Sequence, residues 1–180
     1  MFTDIDKNLV NGENMGGIAQ YIYYGLHSDV EDWPTKPASP TTLAENGALT
    51  GDIVMKTGKK LNKLYITDDT GEFRIEPVGS PDGMSFILHL LFFHPGLNKD
   101  ILGLINKAKN ENMVFIVPDN NGAKFLMGDQ LRPATFAGPG DGQGSGKETA
   151  ARRGMGAEFT YKTANVYQYV GSVPLTEAGS

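Results

Sequence analysis

The sequence predicts a mainly β fold with one α-helix: a β-sandwich or distorted barrel of about seven or eight strands with the helix packed on it. Three observations carry that expectation. Short runs rich in β-branched and aromatic residues recur along the chain, separated by turn residues. Only one stretch, Leu97 to Asn112, has helical period. Glycine is abundant, 23 of 180 residues, which favours turns and loops over a helical bundle.

Length and composition narrow the function classes. A chain of 180 residues fits a single domain spanning 1–180, large enough to bury a core without staples. Cysteine is absent, which excludes disulfides, thiol catalysis and thiolate metal sites. His27, His89 and His94 are too scattered to suggest a metal site. The formal charge of -5 argues against tight nucleic-acid binding, yet suits a wall past which nucleic acid slides. The N-terminal residues lack the pattern of a signal peptide, and the longest apolar run, Phe86 to Phe93, is interrupted by His89 and too short to span a bilayer. A soluble protein kept in a reducing compartment is expected.

Taken in order, residues 1–16 form a polar lead-in with Asn-Gly at 11 and 12. Gly17 to Gly25 alternates as a strand with two partly apolar faces. Ser28 to Pro34 leaves it, and prolines 34, 37 and 40 hold a loop that continues to Gly51. Trp33, the single tryptophan, reads as a plug over the core edge rather than a binding anchor. Asp52 to Lys56 begins another strand. Lys63–Thr67 and Glu72–Glu76 flank Asp68–Gly71 as a hairpin, with Phe73 and Ile75 inward. Asp68, Asp69 and Glu72 are read as turn chemistry, because calcium needs more oxygen ligands at regular spacing.

Met84 to Phe93 is apolar at nearly every position and is expected to be buried on both faces, with His89 a satisfied core or interface histidine. In the helix, Ile101, Leu104, Ile105 and Ala108 share one face, Asn98 is the N-cap, Asp100 suits the first turn, and Lys107 and Lys109 suit the last. Met113–Val117 and Ala123–Met127 then form a hairpin about Asn121-Gly122. Residues 132–147 have flexible-loop composition, and 148–156 continue the loop with Arg152 and Arg153. Ala157–Lys162 and Val166–Val170 are expected to pair as a final hairpin, before a small, polar tail.

No motif carries chemistry. Gly-Ser-Gly-Lys at 144–147 fails as a phosphate loop, because Asp141 stands where its first glycine belongs and Glu148 replaces the magnesium-binding hydroxyl. No serine has a nucleophile-elbow setting. Glu31/Asp32 and Asp68/Asp69 are adjacent in sequence, so their side chains diverge on a strand rather than converge as acid and base. No catalytic, cofactor-binding or metal residue is assigned, and no enzyme or cofactor is expected.

Three segments do carry a resemblance. They are Gly16–Pro34 (GGIAQYIYYGLHSDVEDWP), the helix followed by Val114–Gly128 (VFIVPDNNGAKFLMG), and Ala151–Tyr161 (ARRGMGAEFTY). Their order and turn patterns resemble the tail tube (major tail) proteins coded by phages and prophages of Bacteroidetes-type hosts. The resemblance covers most of the chain loosely. It implies a structural virion protein without catalysis, a homo-oligomer in rings commonly of six that stack head to tail. DNA passes along the lumen without specific binding, other tail proteins are partners, and no membrane is involved. The protein would be assembled in the host cytoplasm and reside in the virion tail. Loops 31–60 and 133–156 are expected assembly extensions, with Trp33, Arg152 and Arg153 at inter-subunit contacts and the arginines facing a neighbour's acidic groups. Two alternatives stand beside it. One is a head-tail connector, tail terminator or capsid decoration protein. The other is a non-viral β-domain binding a small ligand or sugar on a platform of Trp33, Tyr21, Tyr23 and Tyr24.

Overall fold

The computed structural model describes residues 2–5, 14–138, 140 and 144–179. In chain order its elements are β1 (Tyr21–Leu26), β2 (Val30–Asp32), α1 (Leu43–Asn46), β3 (Ala48–Leu49), β4 (Val54–Met55), β5 (Asn62–Tyr65), β6 (Glu72–Val78), β7 (Ser85–Pro95), α2 (Lys99–Ala108), β8 (Met113–Pro118), β9 (Lys124–Met127), β10 (Thr135–Gly138), β11 (Gly154–Thr163) and β12 (Gln168–Tyr169). The protein is mainly β with one substantial helix, as its residue pattern predicts.

Local chemistry explains the central unit. Asn98 Oδ1 accepts a hydrogen bond from Ile101 N at 2.9 Å and caps α2, whose Ile101 and Ala108 are buried. The β8–β9 hairpin pairs Phe115 with Met127 and Val117 with Phe125. Its turn closes because Asp119 Oδ1 accepts from Asn121 N and Ala123 N, and Gly122 takes φ +89°.

Two sheets enclose the core. The first has order β3-β12-β9-β8-β1-β5 and the second β10-β11-β7-β6, while β2 and β4 form a separate ribbon. The inner cluster lies between the sheets and under α2, and includes Ile22, Leu90, Phe92, Ile101, Phe115 and Phe159. An outer cluster covers the opposite face of the first sheet and includes Leu49, Met55, Leu61, Ile116 and Tyr169. Strand β8 is shared: Met113, Phe115 and Val117 face the inner cluster, Val114 and Ile116 the outer one. This is the alternation of a strand buried on both faces.

The structure corrects several expectations. Lys63–Thr67 and Glu72–Glu76 do not form a hairpin. Strand β5 pairs with β1, whereas β6 pairs with β7 in the other sheet. Thr67 N already donates to Phe93 O, so the Asp68–Gly71 turn bridges the sheets instead of folding back. The crossing is so tight that a Cβ on Gly71 would lie 2.4 Å from Ile18. Ile75 is 44% exposed rather than inward. Likewise β11 and β12 do not pair with each other. Strand β11 spends its length against β7 and β10, and β12 joins β9 and β3.

Strand β7 is not buried on both faces. Leu88, Leu90 and Phe92 are buried, but Ile87, His89 and Leu91 are half-covered, because among the described residues no layer lies over that side. Among the described residues there are twelve strands, eight of them with four or more residues and four with only two or three, and β2, β3 and β10 lie in segments expected to be loops. The Asn-Gly pair at 11 and 12, and residue 141, lie outside the described residues.

Candidate functional site

No enclosed reaction centre emerges from the described residues; the informative arrangements are a polar hub, an open sheet and two ends of the sandwich. The hub is Asp129, on the turn that follows β9. Its Oδ2 accepts from Lys36 Nζ at 3.0 Å and Tyr161 Oη at 2.9 Å, and its Oδ1 from Leu131 N and Arg132 N at 2.9 and 2.8 Å. Its carbonyl oxygen lies 2.6 Å from His27 Nε2. Burial pushes the Asp129 carboxyl up, but the bonds from Lys36, Leu131, Tyr161 and Arg132 outweigh it and hold the group below its ordinary value. Tyr161 is shifted up, first by burial and also by the carboxylate beside it. These opposed shifts describe a fixed ion at a crossing of three segments, with no free lone pair aimed at a ligand. A small internal cleft beside it is lined by Trp33, Leu126, Tyr161 and Tyr167.

The second sheet presents an outer face. On β6, Glu72, Arg74 and Glu76 stand opposite Leu91, His89 and Ile87 of β7, and on β11 Glu158, Thr160 and Lys162 stand opposite the same three residues. His89 Nδ1 is 2.7 Å from Glu158 Oε1, and Nε2 is 2.9 Å from Glu76 Oε2. Both contacts are hydrogen bonds at once only when both ring nitrogens carry protons, since a neutral imidazole has one N–H. The histidine thus lies between a carboxylate of each flanking strand and has a hydrogen-bond partner, in line with the satisfied histidine expected from sequence. Among the described residues no group of three or more His, Asp or Glu could hold a metal, and no helix is long and apolar enough to cross a membrane.

The residues singled out from sequence are dispersed. Trp33 packs on the outer cluster, with its ring 4.8 Å from that of His27 and near Gly128. That is the plug over the core edge. Arg152 lies over the Phe93 ring at 5.8 Å and shields it. Arg153 is exposed, and its carbonyl accepts from Gly96 N. Neither arginine has a carboxylate partner among the described residues. The tyrosines do not make one platform. Tyr23 packs on the outer cluster, Tyr24 on the inner one, and Tyr21 meets Tyr65 edge-on. The loop 31–60 is not loose either, since it supplies Leu49, Ile53 and Met55 to the outer cluster.

Sequence reasoning missed Asp129, Tyr161 and Lys36 as a unit, because they are far apart in the chain. A local signal existed only for Asp129, which sits between Gly128 and Arg132-Pro133 in the composition of a polar turn. It also missed α1, although Thr42-Leu-Ala-Glu45 has capping-box spacing. Thr42 Oγ1 accepts from Glu45 N, and Glu45 Oε2 accepts from Thr41 N. Comparison with known proteins found no matching family model, no matching curated protein and no matching solved structure.

Proposed function

We propose that this protein is a structural subunit that closes into rings and stacks them into a tube, the tail tube of a bacteriophage, through which DNA passes without specific binding. The observation that supports this reading is the open, directional second sheet. Among the described residues its outer strands, β10 and β6, each have a partner on one side only. All three pairings inside it are antiparallel. With an even number of strands, β10 and β6 therefore run in opposite directions. A copy related by simple rotation brings its β10 alongside β6 of its neighbour as one more antiparallel pair, and repetition closes a ring through one heterologous contact. Glu72, Arg74, Glu76 and Pro77 on the β6 edge oppose indiscriminate pairing and favour a matched partner.

In such a ring the half-covered outer face of the second sheet lines the lumen. Its charges are mixed, with Glu76 and Glu158 against Arg74 and Lys162. A mixed surface on a chain of net charge -5 suits DNA that slides without sticking. Loops 31–60 and 133–156, with Trp33, Arg152 and Arg153, would lie at contacts between copies.

The test is negative-stain electron microscopy with size-exclusion mass analysis on the purified protein at rising concentration. Stacked rings with a central hole are the expected result. Closed rings that never stack would favour a connector or terminator. A monomer at every concentration would overturn the proposal and favour a ligand-binding β-domain.

A further inference from the structure

The two ends of the sandwich differ in a way that suggests how one ring would seat on the next, an inference that rests on the ring reading above. One end carries a knob. Leu131 is 86% exposed, among the described residues the most exposed large apolar side chain after Phe2. It is held out rigidly, because Asp129 N donates to Arg132 O at 2.8 Å while Asp129 Oδ1 accepts from Leu131 N and Arg132 N. The hub bonds from Lys36 and Tyr161 fix that turn to the body of the protein. Because the backbone of the turn is already fixed, docking would order little beyond the leucine side chain itself.

The other end carries a notch. The turn holding Leu131 follows the Met127 end of β9, and Ala134 bridges to Met113 at the start of β8. The β8–β9 turn, at Asp119, lies a full strand away, about 20 Å at ~3.3 Å per residue. There the sandwich opens into a cleft of about 490 Å³ lined by Met15, Ile18, Phe73 and Phe125, with Glu72 and Asp119 at its rim. Phe73 and Phe125 stack at 4.7 Å across the gap between the sheets and form its apolar floor. Met15 is pinned at the wall, since its N–H donates to Asn121 Oδ1 and its carbonyl accepts from Asn121 Nδ2.

We infer that Leu131 of one copy inserts into the Phe73–Phe125 notch of a second copy in the next ring, with Arg132 meeting the Glu72 and Asp119 carboxylates at the rim. The match is of polarity and charge: an apolar knob beside a cation, and an apolar notch beside two carboxylates. Because knob and notch occupy opposite ends, the contact is heterologous and repeats without closing, as a stack of rings requires.

The absence of native cysteine makes the contact directly testable. Leu131→Cys and Met15→Cys lie too far apart for an internal disulfide. Mixed under mild oxidant at concentrations where the parent forms tubes, the two single variants are expected to yield a cross-linked dimer that neither yields alone. Leu131→Asp should leave single rings where the parent forms tubes. Arg132→Glu should shorten the stacks, and adding Glu72→Arg should restore them. Tubes of parental length from a folded Leu131→Asp variant, or a mixture without cross-links, would overturn the knob while leaving the ring reading intact. A parent protein without rings at any concentration would overturn both.

Discussion

The two faces of the first sheet are both buried, yet by different means. The inner face meets a second sheet with strands of up to eleven residues and a ten-residue helix, and its contacts are almost wholly apolar. The outer face is covered by the loop 31–60 and the C-terminal segment, whose strands are two or three residues long. Such short pieces cannot hold themselves in place through ladder hydrogen bonds, so side-chain bonds fasten them. Tyr169 Oη accepts from Ile53 N at 3.0 Å and donates to Ser172 O at 2.6 Å. Asp52 Oδ1 accepts from Ser172 N at 2.7 Å, Lys124 Nζ donates to Gly171 O, and Asp129 holds Lys36. The inner layer thus depends on area and packing, and the outer layer on a few polar clasps. The lesson is that a segment with loop composition can be a structural layer when long-range polar bonds substitute for regular structure.

The sharpest way to break this comparison is in the inner layer. Phe159 is fully buried, and its ring meets Phe92, Phe115 and Phe136. Phe159→Ala should cost about 3–5 kcal/mol in denaturant unfolding and lower both layers together. A loss below about 1 kcal/mol would refute the claim that the inner cluster carries the fold.

Asp129→Asn should act more locally. It removes the charge from the Lys36 and Tyr161 bonds and should cost on the order of 1–3 kcal/mol. Amide exchange should rise around Thr35 and Thr50, which bond each other across the loop, while Phe115 and Ile116 stay protected. Equal acceleration in both layers would mean that they do not separate as described. The pH profile gives a further check. Asp129 is held below its ordinary value, so its contribution is complete above the unfolded aspartate value of about 3.9 and is lost as pH falls through the folded value. The wild-type advantage over Asp129→Asn should therefore be flat at neutral pH and shrink on acidification below about pH 4.

Tyr169→Phe is the smallest expected effect. The ring stays buried while Ile53 N loses its acceptor, which should cost about 0.5–1.5 kcal/mol and loosen the outer layer first. An unchanged melting temperature and unchanged exchange at Ile53 would show that packing alone holds that layer.

What could be read from residues alone was local. The α2 stripe with its Asn98 cap and the β8–β9 hairpin around Gly122 are short-range patterns, complete within a few turns of chain, and both form where their residues indicate. The β-rich character followed from the same kind of signal. The pairing of strands did not, because period-two alternation marks a strand without naming its partner. Glu72–Glu76 and Lys63–Thr67 look like one hairpin, and only the sheet-to-sheet crossing at Gly71 separates them. An apolar run likewise does not say how many faces are covered. Met84–Phe93 reads as doubly buried, yet β8 holds that position, since loop 31–60 folds over the first sheet while among the described residues the second sheet has no layer outside it. The Asp129 hub joins residues 27, 36, 129 and 161, which no spacing rule connects. Local sequence determines elements through backbone sterics and side-chain period. Partnership, layering and the meeting of the two sheets at the notch arise from contacts between residues tens of positions apart, and those exist only once the chain has folded.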